Sequence, residues 1–160
     1  MMIGSGRPKV GDSAPPFEVV SSDGKPVRLG DYTGKKNVVL YFYPKDFTPV
    51  CTAEACGFRD MYDSLVSRDT EVIGVSMDSD ASHKDFAQKH QVPFPLVSDP
   101  DGTLARSYGA TSTLMGLMGM TKRITFVIDK QRKIAGVFDS AFRANNHLDG
   151  VRKTLAALSG

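Results

Sequence analysis

Cysteine is scarce in this chain: Cys51 and Cys56 are the only two among 160 residues. So few thiols exclude the disulfide framework that holds small secreted domains together, and with 41% hydrophobic residues the chain is long enough to build its own core. Apolar runs are short, well below the roughly 20 residues that a membrane-spanning helix requires. A surplus of one charge sign is also missing. The formal net charge is +2, with basic and acidic residues interspersed, which leaves no electrostatic footprint for nucleic acid. Met1 to Pro8 contain no hydrophobic stretch of the signal-peptide kind, so a cytoplasmic location is the expectation, with residues 1–8 as a flexible terminus. Neither repeat, linker nor low-complexity tract interrupts the sequence, and one domain over residues 1–160 is expected. The three histidines, His83, His90 and His147, have no metal-ligand spacing and no link to the cysteines. They are expected on helix surfaces, and no metal or organic cofactor is implied.

What is present is an alternation of strand and helix signals. Phe17–Ser21 and Pro26–Leu29 flank Ser22-Asp23-Gly24-Lys25, and Asp-Gly supplies the positive φ that a hairpin turn needs. Asn37–Tyr43 is a continuous apolar and β-branched run, the pattern of a strand covered on both faces. A helix follows Thr48, with Ala55, Phe58, Tyr62 and Leu65 along one apolar face. Further strands are read at Glu71–Met77, Leu96–Ser98, Arg123–Ile128 and Lys133–Asp139, the last two joined by a turn at Asp129–Arg132. Helices are read at Asp80–Gln91, with Phe86 inward and Lys84 outward, at Thr103–Tyr108, and from about Asn146 to Leu158. This order predicts an α/β fold: a central mixed sheet with helices on both faces and an N-terminal β-hairpin.

The thiols stand where chemistry is expected. Thr48-Pro49 reads as a helix start, Thr48 as N-cap with its hydroxyl accepting a free backbone N–H and Pro49 at the first helical position. Cys51 then lies in the first turn, where unpaired N–H groups and the positive end of the helix dipole favour a thiolate. Most free cysteines merely pack. Here, however, Pro44, Thr48 and Cys51 have the spacing P-x-x-x-T-x-x-C, and this resembles the peroxidatic site of the peroxiredoxins. Asp46-Phe47-Thr48-Pro49-Val50-Cys51-Thr52 is similar to that family over consecutive positions, and Cys56, in Cys51-Thr52-Ala53-Glu54-Ala55-Cys56, narrows the resemblance to the peroxiredoxin Q or bacterioferritin comigratory group. Gly11-Asp12-Ser13-Ala14-Pro15, Phe94 to Gly102 and Arg123 to Asp129 resemble family segments in the same order, so the likeness spans nearly the whole chain.

The resemblance implies a thioredoxin-like fold and a thiol-dependent peroxidase that reduces hydrogen peroxide and alkyl hydroperoxides. It makes Cys51 the peroxidatic nucleophile and Cys56 the resolving cysteine, which closes an intramolecular disulfide that thioredoxin or a similar dithiol reopens. Thr48 is implied to direct its hydroxyl toward the sulfur and the peroxide, Pro44 to shield the site from water, and Arg123 to hold the thiolate and contact the peroxide. Without the family pattern, Pro44 reads as a strand terminator and Arg123 as a solvated strand-edge residue. Glu54, in the same turn as Cys51, reads as structural and paired with Arg123. Cys51 and Cys56 on one regular helix are too far apart to bond, so Pro49–Gly57 is expected to unwind on oxidation. Leu114–Met120 is more apolar and glycine-rich than the family loop. It reads either as a loop packed over the core or as an apolar rim for hydrophobic peroxides or a weak dimer contact, a monomer being favoured. The rival classes are a disulfide reductase, for which the chain lacks C-x-x-C, and a redox-inert thioredoxin-fold chaperone or binding module.

Overall fold

The computed structural model describes residues 6–111, 120–140 and 143–159. The Leu114–Met120 segment, Met120 excepted, and the first five residues lie outside them; Arg7, farther in, pairs with Asp139 at 2.9 Å. A two-stranded antiparallel hairpin comes first, β1 (Glu18–Val20) and β2 (Pro26–Arg28), turning at Gly24 with φ of 87°. The main sheet is built from β3 (Asn37–Phe42), β4 (Thr70–Ser76), β5 (Leu96–Ser98), β6 (Ile124–Ile128) and β7 (Ile134–Asp139) in the order β5-β4-β3-β6-β7. It is mixed: β3 runs parallel to β4 and antiparallel to β6, and β7 returns antiparallel beside β6. Four helices are described, α1 (Pro49–Ser67), α2 (Asp80–His90), α3 (Thr103–Ser107) and α4 (Ala144–Ser159).

The strand pleat sorts the apolar residues of β3 into two cores. Val38, Leu40 and Phe42 face one way, packing with Ile73, Val75, Phe126, α3 residues Leu104 and Ala105, and the hairpin's Val27. Val39, Tyr41 and Tyr43 face the other way, against Ala55, Phe58 and Leu65 of α1, Phe86 of α2, and Val151 and Leu155 of α4. All six residues of β3 are buried, as its unbroken apolar run requires. Helices therefore lie on both faces of the sheet, with the hairpin added to the α3 side.

Register places the functional residues. Phe42 pairs with Ile124, so Arg123, one residue earlier, sits at the end of the sheet where β3 passes into the loop before α1. On β6 the side chains of Thr125 and Val127 point toward α1 and α4, and Arg123 shares that alternation. On α1 the buried residues are Cys51, Glu54, Ala55, Phe58 and Leu65, which recur at three, four and seven positions down one stripe. Two polar residues, Cys51 and Glu54, thus continue the apolar face at its N-terminal end and meet Arg123.

Candidate active site

Cys51 is 1% exposed, and its Sγ accepts a hydrogen bond from Arg123 Nη2 at 3.0 Å. The other arm of the guanidinium, Nη1, donates to Glu54 Oε1, also at 3.0 Å. Arg123 is itself 5% exposed and Glu54 fully buried, so the strand-edge arginine is far from solvated. The planar fork spans sulfur and carboxylate at once, a task that a lysine point charge cannot perform. Burial raises the Glu54 carboxyl to about 7, against the opposing pull of the Arg123 charge and the Arg123 and Thr125 hydrogen bonds. Cys51 is thus a buried sulfur at a helix N-terminus with a cation in contact.

The loop before α1 is held from a side the sequence reading did not reach. Asp46, 4% exposed, accepts from Tyr43 Oη at 2.6 Å and Ser82 Oγ at 2.8 Å, and its Oδ2 lies 2.7 Å from His83 Nδ1. Its backbone N–H donates to Asp78 Oδ2 at 2.7 Å. Burial pushes the Asp46 carboxyl up, but the His83 and Tyr43 hydrogen bonds outweigh it and leave the group below the ordinary carboxylate value. These contacts tie the loop to α2 and to the end of β4. Pro44 lies half-buried at the head of this loop. Thr48 occupies the N-cap position with extended backbone, yet its hydroxyl does not cap: it donates to Lys45 O at 2.9 Å, binding the loop to itself. The expected capping bond is therefore corrected, and the Pro49 position at the helix start stands.

A model of the AhpC/TSA family matches residues 10–137. The chloroplastic peroxiredoxin Q of Sedum lineare is 40% identical over 148 residues, 92% of this chain and 78% of that one. The peroxidoxin BcpB of Mycobacterium tuberculosis superposes with a TM-score of 0.87 at 37% identity, over 95% of this chain and 99% of that chain. The chain is a peroxiredoxin of the Q group. A third relative, the bacterioferritin comigratory protein of Xanthomonas campestris, superposes with a TM-score of 0.81 at 28% identity, over 93% of this chain and 100% of that chain. As a peroxiredoxin it is a thiol-dependent peroxidase with the thioredoxin-like fold.

The second thiol of this peroxiredoxin, Cys56, is half-buried on the same continuous helix as Cys51, and both are free. Its Sγ lies 3.9 Å from His90 Nδ1, and Arg59 Nη1 donates to His90 O at 2.7 Å, joining α1 to the end of α2. The histidines were expected on helix surfaces without a link to the cysteines, and that expectation is overturned. His83 and His147 are fully buried, and His90 touches Cys56. The signal was available: His83 and His90 flank the inward Phe86 at three and four residues, and His147 precedes the buried Val151 and Leu155 at four and eight.

Proposed function

We propose that Cys51 is the peroxidatic cysteine of this thiol peroxidase, and the observation that carries the reading is the 3.0 Å contact between its sulfur and Arg123 Nη2. The thiolate attacks one oxygen of a hydroperoxide, the O–O bond breaks, and the sulfur becomes a sulfenic acid while the leaving alkoxide or hydroxide takes a proton from water. Arg123 holds the thiolate and stabilises the charge that develops on the oxygens. Thr48 and Pro44 shape the approach from the loop side. Cys56 then attacks the sulfenic sulfur, releasing water and forming the Cys51–Cys56 disulfide. A dithiol such as thioredoxin reduces that bond, its own two thiols becoming a disulfide. The substrates are hydrogen peroxide and small alkyl hydroperoxides; for the latter, the Xanthomonas campestris structure is described in terms of alkyl peroxide reduction.

Stopped-flow measurement of peroxide consumption tests the assignment. Cys51→Ser should abolish the reaction, since a serine alkoxide is inaccessible near neutral pH, whereas Cys56→Ser should keep one fast turnover. Peroxide reduction surviving in Cys51→Ser would remove the central claim.

A further inference from the structure

Behind the pair of Arg123 and Glu54 lies a chain of polar groups that peroxide chemistry by itself does not call for. His147 Nε2 is 2.9 Å from Ser140 O. A carbonyl only accepts, so this nitrogen carries a hydrogen. The other ring nitrogen, Nδ1, is 2.7 Å from Thr125 Oγ and 3.4 Å from Glu54 Oε2, and Thr125 Oγ is 3.5 Å from the same Oε2. His147 and Glu54 are both fully buried. Three acceptor atoms therefore meet in a small triangle, and the Thr125 hydroxyl has one hydrogen to share among them. An ionised Glu54 and a neutral His147 would turn two lone pairs toward each other with one hydrogen between them, so one more proton belongs to the cluster. It sits either on Glu54 or on His147 Nδ1.

The charges around the cluster decide between these. Arg123, one residue before the strand that carries Thr125, opposes a second cation at His147. Asp139, at the end of β7, favours one but is already paired with Arg7 at 2.9 Å. From α1 come Glu54 itself and Cys51. From β3 comes the Tyr41 hydroxyl, which burial, more than any neighbouring charge, holds in its neutral form. With Cys51 as thiolate and Glu54 ionised, Arg123 would face two buried anions; with Glu54 protonated, the sulfur and the guanidinium neutralise each other.

We propose that His147 is a positioning residue: through Thr125 it keeps a proton on Glu54, and so reserves the Arg123 charge for the Cys51 sulfur. The hydrogens then run in one direction, from Glu54 Oε2 to Thr125 Oγ, from Thr125 to His147 Nδ1, and from His147 Nε2 to the Ser140 carbonyl, where the chain ends. The direction of the two titrations agrees. Burial lowers His147 despite the Ser140 hydrogen bond, and burial raises Glu54. The inference rests on the assignment of Cys51 and Arg123 above.

The test reads the proton first and the thiol second. Infrared difference spectra of the reduced protein near pH 6 should contain a protonated-carboxyl band that Glu54→Gln removes, and nitrogen-15 shifts should report a neutral His147 protonated at Nε2. In the Cys56→Ser background, which leaves Cys51 as the sole thiol, the pH profile of alkylation is then measured. His147→Leu fills the space without accepting from Thr125. Freed to turn, the Thr125 hydroxyl should stabilise an ionised Glu54, move the profile to higher pH, and slow alkylation about tenfold below the midpoint, the effect of a one-unit displacement. His147→Gln, whose amide both accepts and donates, should restore the profile. With Glu54→Gln added, His147→Leu should have no further effect. An imidazolium at His147 beside an ionised Glu54, or equal effects of His147→Leu with and without the Glu54 carboxyl, would overturn the proposal. The spectroscopic arm needs no turnover, so it remains decisive if His147→Leu does not fold, and it separates failure here from failure of the peroxidase assignment.

Discussion

Oxidation should unwind the start of α1 and stop at Phe58. Cys51 and Cys56 lie on one continuous helix, Pro49–Ser67. Five helical residues give a rise of about 7.5 Å and a rotation that leaves the Cα atoms about 9 Å apart. A disulfide needs them within about 7 Å, so the intact helix cannot carry it. Unwinding from Pro49 withdraws Cys51 and Ala55 from the core and Glu54 from Arg123, losses of small apolar side chains and of the hydrogen bonds that join Cys51 and Glu54 to Arg123 and Thr125. Phe58 is different. It is fully buried with its ring 4.9 Å from that of Tyr41. Exposing roughly 200 Å² of aromatic surface costs about 5 kcal/mol, comparable to the whole stability of many domains. The opening should therefore end at Gly57. Because each helical N–H bonds to the carbonyl four residues earlier, amides as far as Met61 lose their acceptors while those from Tyr62 onward keep theirs. Hydrogen exchange on the fully reduced and the disulfide forms, with the disulfide confirmed by mass, measures this directly. Equal protection across Val50–Arg59 in both forms, or loss reaching Leu65, would refute the reasoning.

Three further outcomes follow. Arg123→Met should shift Cys51 alkylation to higher pH and slow the peroxide reaction about 10–100-fold, the worth of one charge-assisted hydrogen bond; Arg123→Lys should rescue little, and unchanged stopped-flow kinetics in Arg123→Met would discount the arginine. Glu54 rises from 4.5 to about 7 on folding, so the native state binds its proton more tightly and stability from this group is full below about pH 4.5 and lost as pH climbs through 7. Glu54→Gln should accordingly gain on wild type between pH 4.5 and 8 by an amount of order 3 kcal/mol in urea titrations, and a pH-independent difference would contradict the assignment. Asp46 moves the opposite way, its carboxyl lying below the ordinary value, so its contribution is full above about pH 4 and lost as pH falls through the lowered value; Asp46→Asn should cost about 3–5 kcal/mol at pH 7 and progressively less as pH falls through that lowered value, as thermal melts over a series of acid pH values would reveal.

The elements were legible because their signals are local. The run Asn37–Tyr43 announces a buried strand, Asp23-Gly24 a turn, and Thr48-Pro49 a helix start, and each lies within a residue or two of its expected place. That Arg123 meets Cys51 was expected only from the family pattern. Nothing local joins Arg123 to Cys51 across 72 positions; the pairing of Phe42 with Ile124 does that. The Asp46–His83 and Thr125–His147 contacts stayed hidden for the same reason, since a buried polar residue shows itself only when its distant partner is known. The Thr48 hydroxyl was misread because two acceptable geometries competed and the loop carbonyl of Lys45 won.

Gly57 also sets how closely two helices pack. A Cβ there would run into Leu148 Cδ1, so the missing side chain is what lets α4 lie against α1. When the segment ending at Gly57 leaves its place, Leu148 loses the wall it rests on, and the neighbouring His147 loses the carboxyl it faces. The C-terminal helix should therefore respond to the oxidation state of Cys51. A protein that reduces the disulfide would then meet a changed surface at two separate stretches of sequence, and could tell spent enzyme from fresh by its shape before any sulfur is exchanged.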